Sequence, residues 1–401
     1  MKNVDLIFLL FFLLALFLPV SISLSEGLYF LILLIFIYKK VMKKQNFKCS
    51  FPHPGIFAIY ILFPLISFFN SSDILKSTIW YKRHIYFLLL TIVTPLAKNT
   101  LQEKEKLLKA YLLGATVSSL YAILQVFFGL RLQKPFNPST YYTFASGFLS
   151  HPLTYSETTS FAIVISLFLL FSNESKKKPV IYLVAFSTNM LGLIFSREKM
   201  PLIATIIIVL LFITNMLFQK QNRNKAITIL ILLAFIAIIL PDKGKILWRF
   251  NKNKVNLSLN ERLKIWRQGI EDFKHHPVAG IGFGNFKIVI KKWNNKGEQT
   301  LFHAHNNLIE VLATTGLAGL LAFLLFHITI FYEVTKSIVK ERKNLFFITI
   351  LSIFSLYHLE GLSECTFKDT ELNLQIIFFL SLFFVYKCLH KENKHATCKE
   401  K

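Results

Sequence analysis

A chain of 401 residues, 54% of them hydrophobic and 42 of them phenylalanine, is too apolar for an ordinary soluble protein. Its apolar residues run in long blocks, which excludes a string of soluble domains and points to one polytopic membrane domain. The formal charge of +24 does not signal nucleic acid, because the basic residues sit in short clusters between apolar blocks, the pattern of membrane topology.

Twelve blocks read as membrane spans, at 6–24, 26–38, 55–69, 84–97, 110–130, 159–172, 179–195, 201–218, 226–240, 308–334, 345–357 and 372–386. Several are shorter than the roughly 20 residues a bilayer core requires and must recruit flanking residues. With the N-terminus inside, the inside segments carry 25 of the 46 Lys and Arg residues and the short outside loops carry 8. The long segment 241–305 holds the other 13 and is exempt from the charge rule. Both termini are therefore expected in the cytoplasm and the long segment outside. The chain divides into 1–240 with nine spans, 241–305 as the outer loop, and 306–401 with three spans and a cytoplasmic tail. The first block lacks a small-x-small cleavage site and runs into a second span, so it reads as a membrane helix rather than a signal peptide. Of the four cysteines only Cys365 falls outside, so no disulfide is expected on that side.

Residues 1–130 hold five spans and little chemistry; Trp80, Tyr81, Lys82 and Arg83 form an aromatic and basic cluster that reads as an interfacial anchor in preference to a substrate contact. The segment from Arg131 to Glu157 contains Pro135, Pro138, Tyr141, Tyr142, Gly147, His151 and Pro152, residues that suit either a glycan path or ordinary turns. Ser196, Arg197, Glu198 and Lys199 then form a short polar turn between two spans. An arginine there is either a boundary charge or a cation fixed at membrane depth for an anionic substrate.

In the outer loop, Ser258 and Glu261 have capping-box spacing, which predicts a helix starting near Ser258. Leu263, Trp266, Ile270 and Phe273 would give it one apolar face, and Arg262 would lie in its first turn, where free N–H groups favour an anion. Phe286, Val289 and Trp293 predict a second short helix from Asn285 to Trp293. Amphipathic segments of this kind lie on a membrane surface. Gly280, Gly282 and Gly284 lack the spacing and preceding strand of a dinucleotide fingerprint and read as turns. The loop's 13 basic residues stand against 5 acidic ones, which favours an anionic substrate.

His303 and His305 lie two residues apart just before a span. A metal site would need further ligands, and no cysteine or clustered carboxylate is near in sequence, so proton transfer is the better reading. Glu310, one turn into the span, would orient the histidine or cap the helix. Gly316 and Gly319 would let a neighbouring helix approach closely.

His305 and Asn306, followed after nine residues by Gly316, Leu317, Ala318 and Gly319, resemble the histidine motif of the O-antigen ligases within the O-antigen ligase/polymerase superfamily. Glu261 to Trp266 and His276 to Phe286 resemble the loop segments of that superfamily. The resemblance implies an all-α polytopic membrane protein of about twelve spans, with one large periplasmic loop and a fold akin to the GT-C glycosyltransferases, in the bacterial inner membrane. It implies a glycan donor carried on undecaprenyl diphosphate, lipid A–core as acceptor, no metal or other cofactor and no nucleic acid. By the same resemblance His305 matches the catalytic histidine, and Arg262 and Arg197 the arginines that contact the donor diphosphate. Lys199, His303 and Asn306 are added as substrate-binding candidates. Glu198, Lys199, Met200 and Pro201 depart from the small residues that usually follow the serine–arginine pair.

A polymerase joining repeat units on the same lipid carrier would use similar residues with a lipid-linked acceptor. A transporter built from two six-span halves is disfavoured by the short connection between spans six and seven and by the place of the long loop before span ten.

Overall fold

The computed structural model describes residues 6–45, 52–97, 103–130, 132, 144–172, 179–239, 252–291, 298–341 and 344–399. Helices occupy every predicted block: α1 (Leu6–Phe17), α2 (Ile22–Val41), α3 (Pro54–Ile66), α4 (Ile74–His84) and α5 (Leu89–Leu96). They are followed by α6 (Lys104–Phe128), α7 (Pro152–Phe171), α8 (Pro179–Ser196), α9 (Lys199–Leu217) and α10 (Arg223–Ile239). The long segment between the ninth and tenth predicted blocks forms α11 (Lys252–His275), and α12 (Asn307–Lys340), α13 (Leu345–Glu360) and α14 (Thr370–Lys399) follow it. Among the described residues 7 helices are long and apolar enough to cross a membrane, and Leu6–Phe17, Pro54–Asn70 and Leu345–Glu360 are shorter apolar ones. The protein is an all-α, multi-pass membrane protein.

Helix α7 is the centre of the bundle. Almost all of its side chains are buried, and α6, α8, α9 and α13 pack around it. A helix that is enclosed all round must satisfy its polar groups inside the protein, because lipid offers no partners. Thr205 donates to the Ser160 hydroxyl at 2.8 Å, Gln375 donates to Thr158 at 2.9 Å, and Tyr155 donates to Ser119 at 2.9 Å. These cross-helix bonds tie α7 to α9, α14 and α6, and each contributes about 0.5–2 kcal/mol.

The outer-loop segment differs from the sequence expectation in three respects. Helix α11 starts at Lys252, so Ser258 is not its N-cap and Arg262 lies well inside it rather than in the first turn. Capping-box spacing is a local preference, and residues 252–257 contain no proline or glycine to stop a helix continuing through Ser258. The buried edge of α11 runs through Ile265, Trp266 and Gly269, while Leu263 and Ile270 are exposed. In place of the second helix, β1 (Ile288–Lys291) pairs antiparallel with β2 (Glu298–Leu301), with Ile288 opposite Leu301. The run of Ile288, Val289 and Ile290 favours a strand, and burial alternates along it, with Ile288 packed inward and Val289 exposed. Trp293 lies outside the described residues, as do Pro135, Pro138, Tyr141 and Tyr142.

The loop is latched to the bundle by a break in α12. Gly316 adopts φ 67° and ψ −166° inside that helix, a region open only to glycine. The break frees backbone groups, and the segment 277–282 takes them up. Ile281 N–H donates to Ala313 O at 3.0 Å, Gly282 N–H to Thr314 O at 3.1 Å, and Leu317 N–H to Pro277 O at 2.8 Å. The turn reading of Gly280, Gly282 and Gly284 holds, since all three have positive φ. Gly316 does not receive a helix, as its spacing suggested. It receives the Val278 carbonyl, whereas Gly319 does lie against Phe63 of α3. Gly316→Val is expected to destabilise the protein by about 3 kcal/mol or more, because it adds backbone strain to a clash with Val278. Gly27→Ala, with nothing within 4 Å of the added carbon, is the control and should shift stability by less than about 1 kcal/mol. Thermal unfolding of the two variants in detergent compares them directly.

Candidate active site

Ala304 is pinned from two sides. Its N–H donates to Glu310 Oε2 at 2.7 Å, and its carbonyl accepts from Trp266 Nε1 at 3.1 Å. Trp266 thus docks α11 onto the strip that carries His303 and His305. Asn306 then caps α12, accepting from the N–H groups of Leu308 and Ile309 at 2.9 and 3.0 Å, while its amide donates to Leu362 O at 2.9 Å. To pass from the pinned Ala304 to this cap, His305 takes φ 49°, in the left-handed region. Among the described residues four non-glycine positions have positive φ: Lys44, His53, Arg197 and His305. Two of these are candidate site residues, and such strain, about 1–3 kcal/mol each, concentrates where a side chain must be aimed.

The connection between α13 and α14 supplies the partner for His305. Asn307 N–H donates to Gly361 O at 2.8 Å and its side chain donates to Thr366 Oγ1 at 2.8 Å, which fastens residues 361–369 to the start of α12. Glu364 is thereby held with Oε2 2.7 Å from His305 Nδ1 and Oε1 3.4 Å from Arg262 Nη2. Burial alone would raise the Glu364 carboxyl, but the hydrogen bond and charge of His305, with the charge of Arg262, hold it below its usual range. An ionised Glu364 accepts from His305 Nδ1–H, which selects the tautomer that leaves Nε2 as the acceptor in the neutral ring. His303 stacks edge-on against His305 with ring centroids 4.0 Å apart. Burial, and then the neighbouring His305, depress His303 to about 4, so it is neutral near pH 7.

Glu310 acts one residue from His305, on the Ala304 N–H, rather than on the ring itself. One oxygen holds Ala304 N–H and the other accepts from Lys368 Nζ at 2.7 Å, in a pair whose side chains are 1% and 6% exposed. Lys368 also lies 4.1 Å from the ring centre of Trp80. Lys368→Met would strand a buried carboxylate and is expected to cost about 3–5 kcal/mol. Adding Glu310→Gln, which keeps an acceptor for Ala304, should recover most of that loss in an unfolding measurement.

His303, Glu364 and Lys368 border a cavity of about 390 Å³ whose walls also include Trp80, Arg83, Glu157 and Asp369, while His305 and Arg262 stand behind that lining. Trp80 and Arg83, expected as an interfacial anchor, therefore also form a wall of the site. His151 lines it too, while its ring nitrogen caps α7 by accepting from Leu153 N–H at 3.2 Å. A larger cavity of about 1170 Å³ opens beside Lys104, Gln219 and Asn344, and none of the candidate residues lines it.

Of the six candidates, His303, His305 and Arg262 gather at Glu364, and Asn306 holds the turn beneath them. Arg197 sits at φ 60° in the α8–α9 turn with its guanidinium 5.5 Å from the Phe144 ring, and Lys199 opens α9. Neither makes a described contact with the His305 cluster. Glu198, between them, is close enough to interact electrostatically with Glu157 on the cavity wall. Glu364, Lys368 and Glu157 escaped the sequence reading. A carboxylate in the short loop between the last two spans was the available sign of Glu364.

Fold and site together describe a multi-pass membrane protein with a histidine–carboxylate–arginine chain beside a polar cavity. Comparison with known proteins agrees with the resemblance read from the sequence. Residues 142–324, a little under half of the chain, match the family model described as O-antigen ligase. The chain is also similar to the "Exopolysaccharide production protein ExoQ" of Rhizobium meliloti (strain 1021), 31% identical over 106 residues. That stretch is 25% of this chain and spans 24% of the relative's length.

Proposed function

We propose that the protein is an O-antigen ligase that transfers a glycan from undecaprenyl diphosphate to a sugar hydroxyl of lipid A–core. The reaction takes place at the periplasmic face of the bacterial inner membrane, with both chain termini in the cytoplasm and 241–305 as the catalytic loop. The observation that carries this reading is the chain from Arg262 through Glu364 to His305, lying in contact with the family's histidine motif. Glu364 fixes the His305 ring so that Nε2 accepts the acceptor's hydroxyl proton. The hydroxyl oxygen attacks the anomeric carbon, the bond from that carbon to the diphosphate oxygen breaks, and the lipid diphosphate leaves with the electron pair. A single displacement inverts the anomeric centre. Arg262 and Arg197, with Lys199, stabilise the charge that builds on the diphosphate, which requires no metal or nucleotide. His303 packs against the His305 ring at the cavity wall. Asn306, whose side chain is taken up by backbone partners, serves by holding the His305 turn.

A second reading has one observation in its favour, the similarity to an exopolysaccharide production protein. On that reading the acceptor is another lipid-linked glycan and the protein is a polymerase. Offering purified enzyme both acceptors and weighing the products separates the two. Glycosylated lipid A–core supports the ligase; lengthened lipid-linked chains beside unmodified lipid A–core would refute it in favour of the polymerase.

A further inference from the structure

We propose that His303, His305 and Glu364 form a binding site for a zinc-class divalent cation, and that filling it switches transfer off. One ring nitrogen from each histidine and one carboxylate oxygen of Glu364 all lie within 4.8 Å of one another. Ligands at 2.0–2.2 Å in a tetrahedral shell stand about 3.4 Å apart, so a modest inward rotation of the rings converts this cluster into three ligands of one ion. Two imidazoles and a carboxylate are the donor set of three-ligand zinc sites that leave a fourth position to solvent. Nitrogen donors select zinc, copper or nickel over magnesium or calcium.

A second observation concerns His303 itself. Its Nδ1 is buried and has no hydrogen-bond partner among the described residues. A buried ring nitrogen without a partner costs free energy, and a cation would satisfy it. The charges around the cluster are mixed, with Arg83 and Lys368 beside the acids on the cavity wall. Arg262 opposes a cation from the far oxygen of Glu364, and Lys368 is offset by its ion pair with Glu310. Glu157, Asp369 and Glu371 stand on the wall of the cavity that His303 and Glu364 line.

The switching half of the proposal rests on the reading of His305 as the base; the binding half does not. A neutral imidazole that gives one nitrogen to a metal carries its proton on the other, so no nitrogen remains to accept a proton from the hydroxyl. The bound ion also takes the Glu364 oxygen that orients the ring.

The test titrates detergent-purified full-length protein with Zn²⁺, by calorimetry for binding and by glycan transfer for activity. Wild type is expected to bind one Zn²⁺ per chain and to lose transfer in proportion, with EDTA restoring it. His303→Gln and His303→Ala, each checked for an unchanged unfolding temperature, should weaken Zn²⁺ binding by about tenfold or more in calorimetry. Absence of saturable binding to folded wild type would overturn the site, as would binding that both variants retain. Transfer that requires Zn²⁺ and stops in EDTA would overturn the switch and also contradict the metal-free reading of the reaction. Saturable binding without loss of transfer would overturn the switch and leave that reading intact.

Discussion

Replacing His305 by alanine is expected to lower transfer by about 10²–10⁴-fold, the range that a positioned general base contributes. A sugar hydroxyl is a weak nucleophile until its proton has somewhere to go, and His305 is aimed for that role by three separate restraints. Ala304 is fixed on both its N–H and its carbonyl, Asn306 is fixed as the cap of α12, and Glu364 holds Nδ1 at 2.7 Å. Because the His305 backbone is left-handed, alanine leaves strain in place, and His305→Asn is the better-tolerated partner variant. Asparagine accepts that backbone and cannot accept the proton. Both variants should fold, bind the lipid-linked donor and fail to transfer. Transfer within tenfold of wild type in either would remove His305 from the base role.

The second large effect is expected at Glu364. Glu364→Gln keeps the size of the side chain but replaces the carboxylate that receives His305 Nδ1–H. The ring can then take the other tautomer, with Nε2 protonated and unable to act as base. Loss of the orienting carboxylate in a serine–histidine–aspartate triad lowers kcat by about 10⁴, and a fall of about 10²–10⁴ is expected here. The loss should fall on kcat with KM little changed, whereas a merely structural lesion would lower the yield of folded protein and leave the turnover of the surviving fraction intact. Glu364→Asp should recover part of the rate by restoring the charge. Unchanged kcat in Glu364→Gln would mean that the 2.7 Å contact does not serve the reaction.

The sequence made the architecture legible because membrane spans announce themselves by continuous apolarity, and each predicted block is occupied by a helix. It was also enough to bring His305, Arg262 and His303 forward as neighbours in chemistry. The parts it did not show depend on contacts that close over long separations. Glu364 reaches His305 across the α12–α13 hairpin, and Lys368 reaches Glu310 by the same route, so neither pairing leaves a local pattern. The metal-ligand geometry escaped for that reason too, since its third donor lies 59 residues from His305.

Errors in the outer loop have a different cause. Capping-box spacing at Ser258 and the apolar rhythm of Phe286, Val289 and Trp293 are weak local signals, overridden by continued helix in the first case and by β-branched pairing in the second. Gly316 and Gly319 read as one small-residue motif but do two different things, because Gly316 breaks α12 to receive the loop and Gly319 admits α3.

The most direct measurement of the central claim uses purified wild-type protein, undecaprenyl-diphosphate-linked glycan and lipid A–core, with EDTA present and no nucleotide, and reads the products by mass. The account predicts glycosylated lipid A–core and released undecaprenyl diphosphate, both abolished by His305→Asn. An intact donor after prolonged incubation with folded enzyme, or transfer that persists in His305→Asn, would contradict it.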